Sequence, residues 1–200
     1  MTDDQTIAVY EARAQEYDTR FTNDEPDADL RRFLEAVPRG TRLLDLGCGP
    51  GKSAAHMAAA GFAVLAIDAS AQMVALASRH EGVAARQARF EEVDGLGPFG
   101  GIFANFSLLH AERDTLPALM AKCAGELGPG GVLHIGMKLG TGERRDSLGR
   151  FYTFVSETEL RALVEAAGLA VTFTRQGEEA GLAGTVDPYI ILLARKEGAR

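Results

Sequence analysis

From Thr41 onward the chain alternates short apolar runs with stretches in which apolar residues recur every three or four positions. A short apolar run bounded by turn residues suits a strand buried on both faces, and the three-to-four spacing marks one face of a helix. The pattern predicts strands near 41–46, 62–68, 83–88, 101–106 and 132–137, and helices near 52–60, 71–80, 114–126 and 156–167. Strands separated by helices pair in parallel through right-handed crossovers, so an α/β, doubly wound sheet covered on both faces follows. After Gly168 the runs Leu169 to Phe173 and Tyr189 to Leu193 have no helical stretch between them. They predict an antiparallel edge pair, making a mostly parallel seven-stranded sheet.

Two helices precede this alternation. Ile7, Tyr10, Ala14 and Tyr17 share one face of a helix expected from about Thr6 to Tyr17. Asp27 suits the cap of a second helix through Leu30, Phe33, Leu34 and Val37, which Pro38 and Gly40 stop. The polar segment Gly140 to Arg150 contains three glycines together with Arg144, Arg145 and Arg150, and it is expected to be a mobile loop.

At 200 residues the chain is expected to be one domain, with residues 1–40 as a helical lid and 41–196 as the α/β core. A net charge of −7 disfavours nucleic acid, whose phosphates need a basic face, so a small-molecule partner is expected. Two cysteines give no disulfide framework, the first residues lack a secretory pattern, and no apolar run approaches the ~18 residues of a membrane span. A cytoplasmic protein without membrane contact, monomer or homodimer, is the expectation.

The chemistry concentrates in Leu43-Leu44-Asp45-Leu46-Gly47-Cys48-Gly49-Pro50-Gly51, a strand running into glycines whose amides can lie close to a ligand. A second apolar run ends in Asp68, a carboxylate placed to accept both hydroxyls of a ribose. A phosphate-binding P-loop is one glycine short here, because Leu46 stands at its first position. A dinucleotide turn calls for a small residue where Lys52 stands, and Asp45 would repel a pyrophosphate while attracting a sulfonium. His56, His80 and His134 show no metal-ligand spacing with one another or with the cysteines, so no metal is expected. A reactive thiol at Cys48 is opposed by Asp45.

The first motif, Ala66-Ile67-Asp68-Ala69-Ser70 with Met73, and Leu127-Gly128-Pro129-Gly130-Gly131 resemble, in order, three motifs of the class I S-adenosylmethionine-dependent methyltransferases. Gly101 to His110 and Gly142 to Asp146 are similar to the small methyltransferases related to the ubiquinone-pathway and tellurite-resistance enzymes. The resemblance implies a Rossmann-like fold, S-adenosylmethionine as cofactor, S-adenosylhomocysteine as product and in-line methyl transfer to a small molecule. It implies that Gly47 and Gly49 hold the methionine moiety, that Asp68 takes the ribose, and that Ala69, Met73, Phe90 and Glu91 surround the adenine. Asp45, Cys48 and Asn105 complete the expected cofactor contacts. Relatives often carry an acid where this chain has Arg89, and usually Asp where it has Gly100.

For the acceptor, His110 at the end of the fourth strand is the expected general base, with a capping or surface histidine as the alternative. Tyr17, Lys138 and Arg145 are further substrate candidates, and Tyr10 and Tyr17 are placed to close the pocket from the N-terminal helix. An NAD(P)-dependent oxidoreductase on the same turn and a non-catalytic cofactor-binding module are the rival readings.

Overall fold

The computed structural model describes residues 3–20 and 25–198. In chain order the elements are α1 (Asp4–Arg20), α2 (Ala28–Ala36), β1 (Arg42–Leu46), α3 (Lys52–Ala59), β2 (Ala63–Asp68), α4 (Ala71–Ala77), β3 (Val83–Gln87), β4 (Phe99–Asn105), α5 (Leu116–Glu126), β5 (Leu127–Lys138), β6 (Glu143–Arg145), β7 (Phe151–Thr153), α6 (Glu157–Ala166), β8 (Leu169–Ala180) and β9 (Val186–Lys196). Seven strands form one sheet in the order β3-β2-β1-β4-β5-β9-β8. Five pair in parallel, while β9 runs antiparallel to both its neighbours, β5 and β8. The expected antiparallel pair is present, with the last strand inserted inside the edge.

Successive residues of a strand point to opposite faces, and the sheet shows this as two cores. Leu44, Ile102, Ile135 and Leu192 bury against Met120 of α5 and Leu160 and Val164 of α6. Their neighbours Leu43, Phe103 and Ile191 turn the other way, toward Leu30 and Phe33 of α2 and Met57 of α3. The parallel strands must therefore be apolar on both sides, which explains their unbroken apolar runs. The seating of α2 depends on Gly101, where a Cβ would stand 2.6 Å from the Phe33 ring. Gly100 has a physical reason as well: a Cβ there would come within 1.9 Å of the Thr41 hydroxyl, so an aspartate does not fit.

Boundaries differ from the sequence pattern where local chemistry intervenes. Asp27 does cap α2, accepting a hydrogen bond from the Leu30 amide at 2.8 Å. A 3-10 turn at Arg113–Thr115 precedes α5, since Pro117 has no N–H to continue a regular ladder. β8 and β9 run beyond their apolar stretches to outer ends, residues 178–180 and 186–188, that pair in the sheet only with each other. The segment expected as a loop contributes β6 to a hairpin, pairing Glu143 with Thr153 and Arg145 with Phe151. Among the described residues no helix is long and apolar enough to cross a membrane.

Candidate active site

The site lies at the carboxyl ends of the central strands, where the chain order reverses between β1 and β4. Leaving β1, the amides of Gly47 and Cys48 both donate to the Ile67 carbonyl, at 2.8 and 2.9 Å, which ties the turn to β2. Gly47 has φ +75°, and a Cβ on it would lie 2.3 Å from Cβ of Ser107. Gly51, at φ +81°, starts α3 and would press a Cβ to 2.7 Å from Ala77. Only glycine satisfies both the backbone angle and the close approach at these positions. His80 supports the turn from α4's side, its Nε2 3.0 Å from the Pro50 carbonyl.

Asp68 closes the turn. One carboxylate oxygen accepts from the Gly49 amide and the other from the Ser70 amide, each at 2.9 Å. Each oxygen retains a lone pair, so the group still has capacity for two hydroxyl donors. Burial raises its pKa, and the amides of Ser70, Gly49 and Ala69 work against that rise. Ser70 caps α4, accepting from the Met73 amide at 3.2 Å, and donates its hydroxyl to Glu11 of α1.

Asp45 is 3% exposed, and burial together with the neighbouring Asp68 charge pushes its pKa up to about 7. Its Oδ2 has no hydrogen-bond partner, and neither does the buried Ser107 hydroxyl. Buried polar atoms cost free energy when unpaired, so two of them, one beside each of two adjoining cavities, mark where a polar ligand would be satisfied. Asn105 lies nearby, its Oδ1 3.0 Å from Nε2 of His134. Because that oxygen accepts, the amide nitrogen of Asn105 is the side-chain group left to face the cleft. Gly136 makes room for it, since a Cβ there would stand 2.8 Å from the same oxygen.

Two adjoining cavities share Tyr10, Tyr17, Gly47, Gly49, Asn105 and His110. The smaller, about 80 Å³, is lined by Asp68, Ala69, Met73, Phe90 and Ser107. The larger, about 660 Å³, is lined by Asp45, Cys48, Lys138, Arg150 and Tyr152. Phe106 borders both with φ +53°, the one non-glycine residue at positive φ among those described. Such an angle is costly for a bulky side chain and persists where the surroundings impose it.

Of the acceptor candidates, Tyr17, His110 and Lys138 border the larger cavity. Lys138 is held by Asp187 at 2.6 Å and sits 4.2 Å from the centre of the Tyr152 ring. Arg145 lines neither cavity. Its guanidinium pairs with Asp3 at 2.7 Å and also donates to the Gly149 carbonyl, because the β6–β7 hairpin turns it toward the start of α1. Glu91 also lines neither cavity, and its carbonyl accepts from Lys122. Arg89 pairs with Asp4 of α1 rather than meeting a ligand. Cys48 is buried, with its thiol pKa raised well above the ordinary value by burial and the two aspartates.

His110 is 6% exposed, and its Nδ1 lies 2.6 Å from the Phe151 carbonyl, which can only accept. Nδ1 therefore carries the proton and Nε2 presents the lone pair, 2.8 Å from the Tyr10 hydroxyl. Burial, with Arg150 and Lys138 nearby, lowers its pKa to about 4, so the ring is neutral near pH 7. Arg150 and His134 were missed as neighbours of the site, and so was the contact of Tyr10 with His110. The sequence placed Tyr10 at the mouth of the pocket, but no local pattern joins it to His110 and Arg150, 100 and 140 positions away.

The strand order, the glycine turn and the acid ending β2 define a Rossmann-like, nucleotide-cofactor-binding α/β protein. The family model described as a methyltransferase domain matches residues 18–173, and the chain belongs to that family. Among curated proteins, it is 34% identical over 103 residues to the ubiquinone biosynthesis O-methyltransferase of Caulobacter vibrioides, covering 48% of this chain and 40% of that one. It is 39% identical over 134 residues to the trans-aconitate 2-methyltransferase of Delftia acidovorans, covering 59% and 46%. The chain thus spans under half the length of these relatives. The Burkholderia thailandensis 1,6-didemethyltoxoflavin-N1-methyltransferase, solved with its substrate and S-adenosylhomocysteine, superposes with a TM-score of 0.75 at 24% identity, covering 97% of this chain and 88% of that one. That likeness is one of fold.

Proposed function

We propose that this chain is an S-adenosylmethionine-dependent methyltransferase acting on a small molecule. The observation that carries the reading is the glycine turn closed onto Asp68 beside two unpartnered buried polar groups, Asp45 Oδ2 and Ser107 Oγ. The residues fit the cofactor: Asp68 for the ribose hydroxyls, Ala69, Met73 and Phe90 for the adenine, and Gly47, Cys48 and Gly49 with Asp45 and Asn105 for the methionine end. Membership of the methyltransferase family removes the support for the oxidoreductase alternative.

The cofactor, when bound, supplies a methyl carbon on a positively charged sulfur, which leaves as a neutral thioether and needs no acid. The protein's part is alignment, exclusion of water and removal of a proton where the acceptor carries one. Asp45 stands where a sulfonium would favour its ionised form, and neutral His110 is the proposed base. In this reading α1 and α2 serve as the lid of a single domain. α1 spans the cleft, with Asp18 on Lys52 at 3.0 Å, Glu11 on Ser70 and Tyr10 on His110.

The test is transfer of isotope-labelled methyl from S-adenosylmethionine to a panel of hydroxyl, amine, thiol and carboxyl acceptors, read by mass. Label in at least one small-molecule product is expected. A protein that binds the cofactor yet leaves all label on the donor would be a binding module instead.

A further inference from the structure

Among the described residues, the four lysine and arginine side chains lining the larger cavity each already face a carboxylate. Lys52 pairs with Asp18, Lys138 with Asp187, Arg150 with Asp146 and Arg175 with Asp29. Glu25, Glu178 and Glu179 add further carboxylates to the same lining. A polycarboxylate acceptor would find no uncommitted cation and several repelling anions. Much of the remaining lining is aromatic: Tyr10, Tyr17, Phe106, Tyr152 and Tyr189 suit a flat ring.

The Tyr10 hydroxyl occupies the lone pair of His110 Nε2, so an acceptor reaches that base only through Tyr10. A phenolic oxygen has one proton and two lone pairs. The proton goes to His110, one lone pair accepts from Arg150 at 3.0 Å, and the Tyr152 hydroxyl shares the second, which an acceptor would take over by displacing it. Arg150 is fixed for this by two bonds to Asp146, at 2.9 and 2.7 Å.

On the reading of this chain as a methyltransferase, we propose that its acceptor is an uncharged hydroxyl on an aromatic ring, which donates to Tyr10, and that Tyr10 relays the proton to His110. In the transfer, a lone pair of the acceptor oxygen forms the new O–CH3 bond and the sulfur keeps the electrons of the broken S–CH3 bond. The acceptor's proton passes to the Tyr10 oxygen, and the Tyr10 proton passes to His110 Nε2. The groups facing this chain are Arg150, Lys138, Asp146 and Tyr152, with Tyr17 and Asp68 beyond Tyr10. Burial, Arg150 and Lys138 outweigh the opposing pull of Asp146 and hold His110 neutral, but the protonated ether being formed is far more acidic than an imidazolium, so a weak base suffices.

The experiment uses 4-nitrophenol, whose neutral and ionised forms absorb at different wavelengths, added to protein first shown by titration to bind S-adenosylhomocysteine. Failure of that first step removes the methyltransferase reading itself. With the homocysteine compound bound, the relay predicts that the probe binds in its neutral form, its ionisation moved up by about one pH unit or more. Tyr10→Phe should abolish the shift in whatever fraction still binds. A merely structural tyrosine would change the amount bound and leave the ionisation of the bound probe as in the wild type. Binding as the phenolate, an equal shift in Tyr10→Phe, no binding, or preferential binding of trans-aconitate would each overturn the proposal.

Discussion

Single atoms decide much of this site. At Gly47 the positive φ and the 2.3 Å approach of Ser107 act together, so Gly47→Ala should displace the turn and abolish cofactor binding in a protein that still folds. Circular dichroism with a binding titration checks both halves. Asp45, with its pKa near 7 in the cofactor-free protein, is neutral below that pH and ionised above it. A sulfonium favours the ionised form, so affinity for S-adenosylmethionine relative to the uncharged homocysteine should fall as pH drops from about 8 to about 6. A ratio flat across that range would show that Asp45 does not sense the sulfonium. The glycine turn and both acids were legible in the sequence because their chemistry is local. The place of Arg145 outside both cavities was not legible, because its partner, Asp3, is 142 residues away and β6, which aims it, carries no apolar signature.

Among the elements, α1 is bound through a small apolar cluster of Ala14 with Met73 and Leu76 of α4 and through polar contacts to α3, α4 and the β6–β7 hairpin, while α2 is bound through apolar burial. Phe33 is fully buried against Phe103, with ring centres 5.2 Å apart, so Phe33→Ala should cost about 3–5 kcal/mol in denaturant unfolding. The ion pairs of α1 are partly exposed and contribute about 0–1 kcal/mol each. Replacing Asp3 and Asp18 together by Ala should change stability by less than about 2 kcal/mol, yet release S-adenosylhomocysteine several-fold faster in stopped-flow displacement. An unchanged release rate would mean that α1 is packing and not a lid. Apolar patterning located every strand of the large sheet, and it is clearest in the central strands, where burial on two faces writes itself into consecutive residues. β6 and the outer ends of β8 and β9 lack buried residues, and β7, though buried, is only three residues long, so the pattern passed over them.

Across the whole molecule, two buried histidines couple stability to pH. Burial lowers His134 to about 3 and His110 to about 4 from the ordinary 6.5. The unfolded chain therefore binds protons that the folded one refuses, so their contribution is lost as pH falls below about 6.5. His134→Gln removes one titration. The stability gap between wild type and this variant should narrow by up to about 1.4 kcal/mol per pH unit below about 6.5. Thermal or denaturant unfolding across that range measures it, and a constant gap would contradict the burial assigned to His134.

The central claim is that the turn at Gly47 and Asp68 hold S-adenosylmethionine, and isothermal titration with S-adenosylhomocysteine, with NADH and ATP as controls, tests it most directly. The wild type should bind the homocysteine compound selectively, and Asp68→Ala should weaken that binding by about 2–4 kcal/mol through two lost charge-assisted hydrogen bonds. Preference for NADH, or unchanged affinity in a folded Asp68→Ala protein, would contradict the account.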